Sequence, residues 1–117
     1  TDESVEIVKS LNEKKIKIVK GPCNGISRAL NTGFNEASFN YVARCDGDDL
    51  VAPDAYEWMA NFLDAHEDFA AVTGAFSTVS ESGRHLADLI KKTEAENITD
   101  YLLSGKTFTH FCSWLVR

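Results

Sequence analysis

Three carboxylates fall within four positions at Asp46-Gly47-Asp48-Asp49. Anions this close repel one another unless a cation or a ligand compensates. Asp46 and Asp48 are two apart, so on an extended segment they face the same way and can share a metal or a ligand. Hard oxygen donors of this kind favour Mg²⁺, Mn²⁺ or Ca²⁺ over zinc. Gly47 permits close backbone approach or an unusual φ, as expected where a strand ends against a ligand. The preceding Tyr41-Val42-Ala43-Arg44-Cys45 is strand-like, and open α/β sheets bind ligands at the carboxyl ends of their strands.

A plainer reading stands beside this one. Asp and Gly are turn formers, and a strand leaving a sheet often ends in such a cluster. An EF-hand loop is excluded by spacing. With Asp46 first and Asp48 third, Glu57 falls correctly at the twelfth position. Leu50 then stands where an oxygen ligand belongs, and Val51 where glycine is required.

The elements that must position these aspartates follow from periodicity. Ser4 is suited to cap a helix whose stripe is Val5, Ile7, Val8 and Leu11, running to Glu13-Lys14. Ile16–Val19 alternates like a short strand, stopped by Gly21-Pro22. A helix over residues 27–37 puts Ala29, Leu30, Gly33, Phe34 and Ala37 on one face. After the aspartates, Pro53 suits the first position of another helix with Asp54 in its first turn. Its buried stripe is Tyr56, Met59, Phe62 and Leu63, with Trp58 flanking. Residues 70–76 read as a buried strand, and 81–84 as the turn of a hairpin between 77–80 and 85–89. A last helix is expected across 95–104, closed by Gly105, before a strand over 111–116. This order argues for an α/β sheet with at least one parallel βαβ pair, the strand ending at Cys45 lying parallel to Ile16–Val19.

The 117 residues suit one domain or part of a larger one, and 44% hydrophobic content is enough to build a core. A net charge of −6 argues against binding nucleic acid or an anionic membrane. Cys23, Cys45 and Cys112 are widely spaced without a CxxC. They read as reduced thiols, buried or half-buried, of a cytoplasmic chain. No apolar run has the length of a membrane span, and a start at Thr1 without methionine leads us to expect an upstream segment.

The ordered motifs resemble family 2 glycosyltransferases of the GT-A fold. They are Gly25-Ile26-Ser27-Arg28-Ala29-Leu30-Asn31-Thr32-Gly33, then Tyr41-Val42-Ala43-Arg44, then Asp46-Gly47-Asp48-Asp49, then Pro53-Asp54. In that family a helix like "GIS-x-A-x-N-x-G" precedes a strand ending in a DXD-type motif. The opening Thr1-Asp2-Glu3-Ser4 looks like the end of the family's "DDGSTD" segment. His110 with Phe111–Arg117 looks like its "H-x-S-x-x-x-R" stretch. The resemblance implies a mostly parallel central sheet flanked by helices, incomplete here, forming a single partial catalytic domain over residues 1–117.

Carried over by position, Asp46 would contact the ribose or sugar of a nucleotide-diphosphate-sugar donor. Asp48 would coordinate the Mg²⁺ or Mn²⁺ that neutralises the diphosphate. Asp49 either supports the metal or caps the following helix. Arg28 and Asn31 lie where the family places donor contacts. Arg28 can equally be an exposed helical charge, and Asn31 can bond a neighbouring loop. His110 is a structural or acceptor-side residue, and Lys91-Lys92 is a solvated pair or a phosphate contact.

The family's base-gripping first strand is expected upstream of Thr1, and its acidic general base downstream of Arg117. The implied activity is inverting sugar transfer to a glycan or lipid-linked acceptor hydroxyl, in glycan or cell-envelope polysaccharide synthesis. The chain alone is expected to be inactive, and an uncovered strand edge invites self-association. A noncatalytic Mg-binding signalling or binding module is the competing class. A receiver domain would need acidic groups at two strand ends and a later strand-end Lys. A dehalogenase-like phosphatase would need DxDGT, which Asp46-Gly47-Asp48-Asp49 is not.

Overall fold

The structure is a computed structural model describing residues 3–21, 25–89, 103–104 and 110–117. The chain divides into two compact units, Thr1–Ser38 and Phe39–Arg117.

In the first unit α1 spans Ser4–Ser10, so Ser4 begins the helix and Glu3 occupies the cap position without a side-chain cap bond. The helix stops short of Glu13-Lys14 because Asn12 turns into the left-handed region at φ 48°, a conformation asparagine tolerates. Ile16–Val19 forms no strand. Gly25, at φ 96°, leads into α2 over Ile26–Glu36, close to the expected 27–37. Ala37 then turns extended, and Lys17 pairs with Glu36. The periodic apolar face of α2 is present, yet neither helix holds a buried residue.

The second unit carries the core. Strand β1 is Val42–Ala43, α3 is Ala55–Ala65, β2 is Ala71–Thr73, β3 is Phe76–Val79 and β4 is His85–Leu89. A 3₁₀ turn over Phe111–Ser113 leads into β5, Trp114–Val116. Asp54 sits at the cap of α3, its carbonyl accepting from Trp58 N–H at 2.9 Å, so Pro53 falls in the turn before the helix. Met59 and Leu63 on α3 pack with Leu115 of β5 as the buried core. Tyr41, Ala43, Phe62, Phe69 and Val72 close around them. Tyr56 and Trp58 stay partly exposed at the rim. This packing follows the i, i+4 spacing that puts Met59 and Leu63 on one helical face.

Sheet order is β1-β5-β2, with both contacts antiparallel. Val42 faces Val116, and Val72 faces Leu115. The expected mostly parallel sheet is therefore not found among the described residues, and β1 pairs with β5 rather than with Ile16–Val19. The physical reason is an inserted strand. β1 and β2 both oppose β5, so they run in the same direction, as a strand-helix-strand unit through α3 requires. The C-terminal strand occupies the place between them.

The expected strand 70–76 breaks at Gly74-Ala75. Gly74 N–H donates to Ser113 O at 3.1 Å, and Phe76 begins a separate antiparallel hairpin with β4. Its turn lies where the sequence puts it. Gly83 takes φ 77°, and Ser80 N–H donates to Arg84 O at 2.8 Å. The helix expected at 95–104 and the Lys91-Lys92 pair lie outside the described residues, apart from Leu103 and Ser104. Among the described residues no helix is long and apolar enough to cross a membrane.

Candidate functional site

The acidic loop leaves β1 as a tight turn. Asp46 O accepts from Asp49 N–H at 3.1 Å, and Gly47-Asp48 form the corner. The turn-forming chemistry of Asp and Gly thus governs the backbone. Asp46 and Asp48 consequently do not lie on one extended segment, and the same-face argument stops at Asp46. Gly47 has no positive φ. A Cβ placed there meets nothing within 4 Å, so the corner is open above the backbone.

The extended spacing does act one pair earlier. Arg44 and Asp46 are two apart, and their side chains meet. Arg44 Nε donates to Asp46 Oδ1 at 2.7 Å and Nη2 to Oδ2 at 2.6 Å. This forked pair is part-buried, with side-chain exposures of 25% and 35%. The Arg44 guanidinium holds the Asp46 carboxyl below the usual carboxylate range, with His110 adding a smaller effect in the same direction. A built-in counter-cation therefore offsets part of the repulsion that the sequence exposes. Asp48 is exposed and makes no hydrogen bond or ion pair among the described residues. Asp49 is exposed as well.

Two residues distant in sequence complete the site. Cys112 is half-buried in the 3₁₀ turn ahead of β5, and His110 stands at the start of that turn. Burial pushes the Cys112 thiol up to about 11, helped by its hydrogen bonds to the carboxylates of Asp49 and then Asp46. Ligand atoms of Asp49, His110 and Cys112 all lie within 4.8 Å of one another. The His110 ring packs near Phe76, centroids 5.7 Å apart. Ser113 fastens the turn, its hydroxyl 2.8 Å from Thr73 Oγ1 and donating to His110 O at 2.7 Å. The register of β5 between β1 and β2 is what brings this turn to the acidic loop.

Beyond the turn, Arg117 anchors the unit. Its guanidinium donates to Leu63 O and lies 5.6 Å from the Tyr41 ring centroid. The Tyr41 hydroxyl donates to Asp64. The "H-x-S-x-x-x-R" stretch is one residue longer here: Ser113 keeps the pattern's spacing to Arg117, and the extra residue falls between His110 and Ser113.

Of the expected site residues, Asp46, Asp48 and Asp49 share one loop, and His110 joins them. Arg28 and Asn31 are exposed on α2 of the first unit. Arg44 and Cys112 were missed as site residues. The signal for Arg44 was its two-residue offset from Asp46. No local signal marks Cys112, whose place depends on strand pairing. Cys45, expected buried or half-buried, is exposed, because it lies two residues past Ala43, the last paired residue of β1. Cys23 lies outside the described residues.

Sequence comparison finds relatives that are named glycosyltransferases. A glycosyltransferase of Haemophilus influenzae without further characterisation is 29% identical over 100 residues, covering 81% of this chain and 36% of its own. The amylovoran biosynthesis glycosyltransferase AmsE of Erwinia amylovora is 29% identical over 90 residues, covering 75% and 33%. Glycosyltransferase GlyA of Streptococcus pneumoniae is 29% identical over 102 residues, covering 86% and 15%. The chain thus spans about a third or less of the length of these relatives. No solved structure gives a significant match. The pattern of Glycosyl transferase family 2 matches residues 1–117 from end to end, and the chain belongs to that family.

Proposed function

We propose that this chain forms the donor side of a metal-dependent glycosyltransferase of GT-A type, which moves a sugar from a nucleotide-diphosphate-sugar to an acceptor hydroxyl with inversion. One observation carries the reading. At the turn after β1, Asp46 is locked by Arg44 while Asp48 projects into solvent with no partner among the described residues. Two neighbouring carboxylates are thereby given different tasks.

Arg44 fixes the orientation of Asp46 and keeps it ionised. With Arg44 on both oxygens and the Cys112 thiol also bonded to the carboxylate, Asp46 retains an acceptor position that suits a ribose or sugar hydroxyl. Asp48 and Asp49 offer exposed hard oxygen donors that fit Mg²⁺ or Mn²⁺. When bound there, the cation would act as a Lewis acid toward the diphosphate of the leaving group. Arg28 and Asn31 enter as donor contacts through the family motif alone. No described residue is assigned as the general base that inversion requires, so the reading concerns donor binding rather than acceptor activation. AmsE is named for amylovoran biosynthesis, which supports a glycan or polysaccharide product.

The test is binding of uridine and guanosine diphosphates and their sugars, with and without Mn²⁺, followed by transfer assays. Mn²⁺-dependent binding that is lost in Asp48→Asn supports the reading. Binding indifferent to both Mn²⁺ and Asp48 overturns it.

A further inference from the structure

We propose that Asp49, His110 and Cys112 form a binding site for a thiophilic divalent cation of the Zn²⁺ class, separate in chemistry from an oxygen-ligated Mg²⁺ or Mn²⁺. The three residues come from two places in the chain, the acidic turn after β1 and the 3₁₀ turn before β5. Their ligand atoms nonetheless gather within 4.8 Å of one another. A tetrahedral zinc centre with Zn–S of about 2.3 Å and Zn–N and Zn–O of about 2.0–2.2 Å needs ligand atoms roughly 3.5 Å apart. Ligand atoms within 4.8 Å of one another are within a side-chain adjustment of that spacing. Asp49 and His110 are exposed and have room to make it, while Cys112 is half-buried.

The donor types decide the cation. One carboxylate oxygen, one imidazole nitrogen and one thiolate sulfur make a poor set for Mg²⁺, which prefers oxygen and near-octahedral geometry. The same set suits zinc, and three protein ligands leave its fourth position open. On binding, Cys112 releases its thiol proton to solvent and the sulfur becomes the ligand. Ser113 secures the backbone of this turn through Thr73 and His110 O, so the sulfur is presented from a fixed segment.

The site shares Asp49 with the proposed hard-cation loop but does not use Asp48. Zinc bound here would therefore compete with an ion that draws on Asp49, without requiring the donor reading to hold.

Co²⁺ is the spectroscopic probe, with Zn²⁺ titration by calorimetry beside it. A thiolate-to-cobalt charge-transfer band should appear in the near ultraviolet and vanish on Zn²⁺ addition. Cys112→Ser should abolish the band, and His110→Gln should weaken Zn²⁺ binding at least about tenfold. Cys45→Ser, Cys23→Ser and Asp48→Asn should keep both signals. The proposal is overturned if no band forms, or if the band survives Cys112→Ser. It is equally overturned if Zn²⁺ affinity is unchanged in both Cys112→Ser and His110→Gln while far-ultraviolet dichroism shows them folded. Loss of Mn²⁺-dependent nucleotide binding in Asp48→Asn, with the cobalt band intact, would separate this site from the donor loop.

Discussion

Arg44 grips both carboxylate oxygens of Asp46, two residues further on, at 2.7 and 2.6 Å. Such a fork exploits the planar guanidinium, and a lysine at the same position can offer only a point charge. The pair is partly solvated, so its net contribution stays modest. Arg44→Lys should therefore leave the fold intact but let Asp46 rotate. Nucleotide-sugar affinity should fall by about fivefold to tenfold, or roughly 1 kcal/mol. Equal affinities in the two proteins would show that the orientation of Asp46 does not matter for the donor.

A second carboxylate is tuned within the hairpin. Ser77 Oγ donates to Asp88 Oδ1 at 2.6 Å, and His85 Nε2 lies 2.7 Å from the same oxygen. The Ser77 bond first, then His85, hold Asp88 below the ordinary carboxylate value. A depressed folded value means stability that is present above the unfolded value and lost as pH falls through the folded one. Hydrogen exchange of the β3–β4 amides should be slower in the parent than in Asp88→Asn at neutral pH. The difference should close as acidification carries the pH below the ordinary carboxylate range. An acid-independent difference, or none at neutral pH, would remove Asp88 from the account.

Local chemistry in the sequence marked much of this. The β3–β4 turn was legible in Glu81-Ser82-Gly83-Arg84, because Gly83 supplies the positive φ that the turn uses. Helix α3 was legible from Met59 and Leu63, since one helical face needs only local spacing. Strand order was not legible. Trp114–Val116 alternates no differently whether it lies at an edge or between β1 and β2, and pairing partners are chosen by the whole sheet. The site inherits that limit. The three aspartates announced themselves as neighbours, whereas Cys112 reaches Asp49 only because β5 inserts where it does.

The core should answer sharply to truncation. Leu63 is fully buried and packs with Met59 and Leu115. Leu63→Ala should cost about 2–4 kcal/mol, transfer and cavity terms together. Leu30→Ala on α2, where the side chain is 43% exposed, should cost under about 0.5 kcal/mol. Chemical denaturation of both variants checks the contrast. Equal losses would mean that the burial in the second unit is not what holds it together.

The three aspartates should separate when each is made neutral. Asp48 has no partner among the described residues, so Asp48→Asn removes only an anion from a crowded turn. Its melting temperature should hold or rise slightly, because repulsion is relieved. Asp46→Asn behaves differently. It leaves the Arg44 guanidinium with a neutral amide in place of two charge-assisted bonds, so stability should fall slightly. In function the order reverses. Asp48→Asn should abolish most Mn²⁺-dependent transfer, because it takes away an anionic ligand of the proposed cation. A cation held there would stabilise the charge of the leaving group, so its loss would act on the transition state as well as on binding. Asp46→Asn should weaken donor binding while sparing part of the Mn²⁺ affinity. Thermal melts and Mn²⁺ titrations on the same two proteins measure both halves. A destabilised Asp48→Asn would make that residue a structural part of the turn. A variant with near-normal, still metal-dependent transfer would remove Asp48 from the metal.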